Sequence, residues 1–134
     1  MSKMTVEVVT PERVVYSGQA EMVIARGVVG DLGILPNHMP LVSPLKTAPV
    51  RIKTEGEKEV KMAVSGGFME VRGEKVTILA ETAELPEDID VERAKAAKER
   101  AEKRLSEKYP DLDYQRAERA LQRAITRLDV AKWQ

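Results

Sequence analysis

Hydrophobic and polar positions alternate in short bursts over roughly the first 85 residues, and then the period changes. Val50-Arg-Ile-Lys and Lys75-Val-Thr-Ile-Leu carry an apolar residue at every second position, as a strand with one buried face requires. Six segments rich in β-branched residues are predicted as strands: Thr5–Thr10, Ala20–Arg26, Val50–Lys53, Val60–Val64, Phe68–Val71 and Lys75–Ala80. Turn residues separate them, among them Thr10-Pro11, Gly30-Asp31, Pro36-Asn37, Gly66-Gly67 and Arg72-Gly73. Many short strands at this spacing predict an antiparallel β-sandwich or flattened barrel over residues 1–86.

From Leu85-Pro86 onward the pattern is helical. Pro86 suits a helix entry, and Asp88 or Asp90 supplies an N-cap for a helix over Ile89–Lys108. Tyr109-Pro110-Asp111 interrupts it, because proline lacks the amide and disfavours helix in the residue before it. Asp111 or Asp113 then caps a second helix reaching Lys132. So short a break predicts an antiparallel αα-hairpin over residues 87–134. Ala94, Ala97, Ala101 and Leu105 on the first helix face Ala117, Leu121, Ala124, Leu128 and Ala131 on the second. A seam made mostly of alanine buries little apolar area, at about 0.8 kcal/mol per methyl, so the hairpin is predicted to detach or straighten readily.

Composition changes this picture little until the charges are placed. Lys and Arg number 22 and so do Asp and Glu, and either side of residue 85 the balance stays near zero. That total argues against a strongly basic nucleic-acid binder. Stepping about 100° per residue, however, Arg93, Arg100 and Arg104 form one stripe, and Arg116, Arg119, Arg123 and Arg127 another. In an antiparallel pair both stripes turn to one broad side, with Glu92, Glu99, Glu118 and Asp129 on the other. A solvated face laced with i, i+4 pairs is the plain interpretation. The alternative is an anion face, because arginine binds phosphate and carboxylate bidentately.

Candidate catalytic chemistry is sparse. There is no cysteine, which excludes a disulfide framework, a thiol nucleophile and a Cys-type zinc site. His38 is the sole histidine, in Leu35-Pro-Asn-His-Met-Pro, without an obvious nucleophile to serve. The glycine runs lack the GxxxxGK[ST] pattern, and no metal-ligand set is expected. The N-terminus has no apolar targeting segment, and no apolar run approaches the roughly 20 residues that span a bilayer. Direct membrane insertion is not expected.

Several stretches together resemble the epsilon subunit of bacterial F-type ATP synthases. The most specific is Gly30-Asp-Leu-Gly-Ile-Leu-Pro-Asn-His-Met-Pro-Leu, supported by Val8-Val-Thr-Pro-Glu, Val64-Ser-Gly-Gly-Phe-Met-Glu-Val, Val76-Thr-Ile-Leu-Ala and Ile89-Asp-Val-Glu-Arg-Ala. The resemblance implies a non-catalytic rotor subunit, peripheral on the cytoplasmic face of the bacterial membrane. Its partners would be the gamma subunit, the c-ring and the alpha and beta subunits, with no nucleic acid. A contact loop facing the c-ring and gamma is implied at Gly30, Asp31, Leu32 and Gly33, with His38 nearby. The hairpin would inhibit ATP hydrolysis by extending towards an acidic segment of beta, through Arg116, Arg119, Arg123 and Arg127.

The resemblance extends to the ATP-binding, Bacillus-like class, whose Ile/Leu-Asp-x-x-Arg-Ala motif is intact here at Ile89, Asp90, Arg93 and Ala94. Glu84 matches a position on the adenine side, and Arg100, Arg123 and Arg127 match positions near the phosphates. ATP is thus implied as a regulatory ligand of the folded hairpin. No cofactor is required, and the role of magnesium is open. The alternative is a free-standing nucleotide-binding sensor using the same arginines.

Overall fold

The computed structural model describes residues 3–107 and 113–132. Ten strands precede two helices. The strands are β1 (Met4–Val9), β2 (Val14–Ala20), β3 (Met22–Gly27), β4 (Gly30–Ile34), β5 (Leu41–Pro44), β6 (Ala48–Lys53), β7 (Glu59–Ser65), β8 (Phe68–Arg72), β9 (Lys75–Leu79) and β10 (Thr82–Glu84). A single 3-10 turn, Pro86–Asp88, leads into α1 (Val91–Ser106), and α2 (Tyr114–Ala131) follows. The break expected at Tyr109-Pro110-Asp111 lies outside the described residues, as do Lys108 and the Asp111 cap.

The strands form two five-stranded sheets, in the orders β2-β1-β9-β8-β5 and β10-β7-β6-β3-β4. Every pairing is antiparallel except one: β1 runs parallel to β9, with Val6 beside Val76 and Val8 beside Ile78. Alternation decides what faces inward. Val6 and Val8, Val50 and Ile52, and Val76 and Ile78 all point between the sheets and are essentially excluded from water. Met62 and Met69, expected in strands, are fully buried in the same core, where their flexible thioethers fill the space between β-branched neighbours.

The six predicted strands are β1, β3, β6, β7, β8 and β9; the other four went unpredicted. One of those four corrects the expected form of the contact segment, not its role. Gly30, Asp31, Leu32 and Gly33 are strand β4 rather than a loop. Gly27 faces Gly30, Arg26 faces Asp31 and Ala25 faces Leu32, so the turn itself is Val28–Val29. Strand pairing satisfies backbone groups that a bare glycine-rich loop would leave to water. The segment containing His38 leaves the far end of β4, so it and the Val28–Val29 turn emerge at opposite ends of the strand.

Both helices are capped as their sequences suggest. The Asp90 carboxylate accepts from the Arg93 amide at 3.0 Å, and Asp113 does the same for Arg116 at 3.0 Å. Lys103 and Arg104 sit in the last turn of α1, where they complement the helix dipole. Ala94, Ala101, Ala117 and Ala124 are buried, while Ala97, Leu105, Leu121 and Leu128 are only partly covered. Across the break, the Tyr114 hydroxyl donates to the Glu107 carbonyl at 3.1 Å. The hairpin rests through α2 on β6 and β7. Its apolar anchor is small: Ile89 and Val130 close over Ala63, separately from the main core.

Candidate functional site

The hairpin and one margin of the sandwich enclose a cleft of about 720 Å³. Asp90, Arg93, Ala94, Ala97 and Arg100 line it from the α1 side, and Arg127 from α2. Glu84 at the end of β10 forms part of the opposite wall. Six residues of the expected nucleotide site therefore share one cavity. The other two do not line it. Ile89 is buried beneath α2 against Ala63 and Val130, where it supports the cleft rather than facing it. Arg123 is half-buried on α2, one turn before Arg127, and outside the lining.

The electrostatics of the cleft are uneven. Arg127 donates from Nε to Glu84 Oε1 at 2.5 Å, with both side chains more than two-thirds covered. The resemblance assigns these two residues to opposite ends of a nucleotide, yet here they touch. A ligand reaching Arg127 must compete with the Glu84 carboxylate. Arg93 and Arg100, by contrast, have no side-chain ion pair among the described residues. Neither the i, i+4 pairing of a plain solvated face nor a sandwich carboxylate neutralises them. They leave two guanidinium groups free to receive anionic oxygens.

Of the remaining arginines expected on this side, Arg104, Arg116 and Arg119 are exposed and lie outside the cleft. Glu99 and Asp129 line a separate groove, as the helical placement predicts. That groove is less acidic than expected, because Lys95, Lys98 and Lys132 share it. His38 is half-buried, and its Nδ1 lies 2.7 Å from the Met39 carbonyl oxygen. Asp31 pairs with Arg26 at 3.1 Å on the outer side of the β3–β4 ladder. No group of three or more acidic or histidine side chains among the described residues is arranged to hold a metal ion.

A second surface escaped the sequence reasoning. On the outer face of the first sheet, Val14, Val9, Leu79, Phe68 and Pro44 are consecutive cross-strand partners along one row of β2, β1, β9, β8 and β5. Val14, Leu79 and Phe68 are each more than half exposed. The next row, Ser17, Glu7, Thr77, Glu70 and Val42, is mostly polar, and Lys75–Glu7 and Arg72–Glu70 ion pairs tie it to the row beyond. Each valine or leucine alone is unremarkable on a surface, whereas an unbroken apolar row is the kind of surface that an interaction site would use. Reading strands one at a time hides it, because the row exists only after the register is set.

Two family models cover the chain. The beta-sandwich domain of the ATP synthase delta/epsilon chain matches residues 3–86, and its long alpha-helix domain matches residues 87–132. The ATP synthase epsilon chain of Brevibacillus brevis is 86% identical over 132 residues, covering 98% of this chain and 100% of that one. The epsilon chain of Bacillus licheniformis is 57% identical, with 98% and 100% covered. Among solved structures, a chain of the Euglena gracilis mitochondrial ATP synthase superposes with a TM-score of 0.83 at 22% identity, covering 98% of this chain and 82% of that one. At that identity the likeness concerns the fold.

Proposed function

Because the chain belongs to the epsilon-chain family of the bacterial F-type ATP synthases, we propose that it serves as a central-stalk rotor subunit, performs no chemical step itself, and restrains ATP hydrolysis with its hairpin. The observation that carries the regulatory part is how lightly the hairpin is held. Among the described residues its apolar anchor is small, Ala63 with Ile89 and Val130, and the polar contacts that join it to the sandwich include the Glu84–Arg127 and Arg13–Asp88 ion pairs. A contact of that size is reversible on the scale of a few kcal/mol, as a two-position element needs.

The sandwich is the rigid base of this reading, turning with the rotor, with a working division at residue 86. Its apolar row, Val14 to Pro44, is the surface best suited to dock the gamma subunit, since burying it removes water from five adjoining strands. The exposed Val28–Val29 turn with β4 is the segment we assign to the c-ring, and His38 borders the opposite end of that strand. The subunit would sit peripherally on the cytoplasmic face of the membrane; none of its described helices is long and apolar enough to cross one.

In the folded state the cleft would hold ATP, with Arg93 and Arg100 on the phosphates and Glu84 and Asp90 on the polar edge of the nucleoside. ATP bound between the helices and the sandwich favours the folded state by its differential affinity. In the extended state Arg116, Arg119, Arg123 and Arg127 would meet the acidic segment of beta. The sensor of the alternative reading thus becomes the ligand arm of the brake. The decisive experiment is hydrolysis by the reconstituted head complex with the full chain or with a chain ending after residue 86. The full chain should inhibit and the shortened one should not; equal inhibition removes the hairpin from the mechanism.

A further inference from the structure

The cleft has a wall that the motif does not account for. Thr10, Glu12, Arg13 and Val15, from the turn between β1 and β2 and the start of β2, line it opposite the helix arginines. The backbone of this turn is fixed. The Thr10 amide donates to the Arg13 carbonyl at 2.9 Å, and the Thr10 hydroxyl accepts from the Glu12 and Arg13 amides at 3.4 Å. The Arg13 side chain is held far less closely. Its one ion pair among the described residues is to Asp88, Nη2 to Oδ2 at 3.9 Å, between two well-exposed groups. Such a pair contributes little and is easily exchanged.

We propose that Arg13 is a further anion-binding residue of the cleft, clamping the phosphate chain of a nucleotide from the sandwich side against Arg93 and Arg100 on the hairpin. This rests on the nucleotide reading given above and adds to it a direct tie between the two units. A ligand touched only by the helices stabilises the helices. One gripped by Arg13 as well links hairpin to sandwich, so each bound molecule directly opposes detachment. The chemistry is that of a guanidinium on phosphoryl oxygens, which either the phosphates of ATP or a free polyphosphate could supply.

The test is calorimetric titration of the full chain with ATP, tripolyphosphate and adenosine, for wild type, Arg13→Ala, Asp88→Asn and the double variant. Arg13→Ala should weaken ATP and tripolyphosphate about tenfold and leave adenosine unchanged. Asp88→Asn releases Arg13 and should tighten ATP about twofold to threefold, a gain that disappears in the Arg13→Ala background. Binding of ATP equal in wild type and Arg13→Ala overturns the assignment while leaving the nucleotide site standing. A gain from Asp88→Asn that persists without Arg13 also overturns it, as does an equal loss for adenosine. Wild type that binds none of the three ligands overturns both readings together. Binding of tripolyphosphate as tight as ATP would support the clamp and identify phosphate, not the nucleoside, as what it reads.

Discussion

Arg127 and Glu84 lie 43 residues apart in sequence and meet at 2.5 Å, one on the last helix and the other on the last strand. Partly buried and charge-assisted, this contact contributes about 1 kcal/mol to docking of the hairpin after allowance for its residual exposure. Glu84→Gln should therefore speed hydrogen exchange in α1 and α2 roughly fivefold and leave β6 and β9 unaffected. Equal acceleration throughout would place the ion pair in the global fold instead.

Val130 is fully buried against Ile89 and Ala63. Val130→Ala should lower the opening free energy of the hairpin by about 1–2 kcal/mol. Val130→Asp should release it altogether, because a carboxylate has no partner there. Distance labels on the sandwich and on α2 would read a lengthening for the aspartate variant, with the strand signature in circular dichroism retained.

Asp90 caps α1, and the resemblance also gives it to the ligand. The two roles separate in Asp90→Ser, which keeps an N-cap oxygen and removes the carboxylate, whereas Asp90→Ala loses both. If the carboxylate meets the nucleotide, both variants should bind ATP at least tenfold more weakly, and only the alanine variant should lose about 1 kcal/mol of helix stability. ATP affinity restored by serine would reduce Asp90 to a cap.

Two glycines at turns should respond differently to the same substitution. A Cβ on Gly67 would fall 2.0 Å from the Leu79 carbonyl oxygen, at φ +99°. Gly67→Ala should cost about 3 kcal/mol or more, because backbone has to move. Gly73 has φ +60° but open space around it, so Gly73→Ala should cost only about 1–2 kcal/mol. Urea midpoints of the two variants give the comparison.

The Arg51–Glu59 pair sets an acid limit on the sandwich. A side-chain hydrogen bond from Arg51 holds the Glu59 carboxyl below the usual glutamate range, against a smaller opposing effect of burial. A carboxyl depressed in the folded state adds stability above its unfolded pKa of about 4.3, and that stability is lost as pH falls through the lower folded value. The urea midpoint should thus hold from pH 7 to about 5 and decline below about 4, and the decline should be shallower in Glu59→Gln. Identical slopes would assign the acid sensitivity elsewhere.

How far the sequence carried is visible in which strands it revealed. The six predicted strands are the six interior strands of the two sheets; the four unpredicted ones, β2, β5, β4 and β10, are the four edges. An interior strand is paired on both sides and pressed on the core, which demands alternation and β-branched residues. An edge strand has one neighbour and tolerates the glycines of Gly30-Asp-Leu-Gly, the closing proline of β5 and the three residues of Thr82-Ala-Glu. The cleft divides the same way. Arg93 and Arg100 were legible because helical spacing gathers them on one face, and Asp90 because the family motif it shares with Arg93 is intact. Arg13 was not, since its turn reaches the site only through the docking of hairpin on sandwich. The Glu84–Arg127 contact was hidden for the same reason.

The parallel pairing of β1 with β9 has a consequence for the order in which the molecule is made. Thr5 has Gln19 on β2 as a local neighbour, but its other neighbour is Lys75, so β1 waits for β9 before its sheet closes. Long-range parallel pairing of this kind is slow and cannot nucleate locally. The two helices emerge later still, so the platform can be complete before the moving part arrives. A defect in the hairpin can therefore reach an assembled sandwich, whereas a defect at β1 or β9 undoes the sheet that backs β6 and β7, on which the hairpin lands.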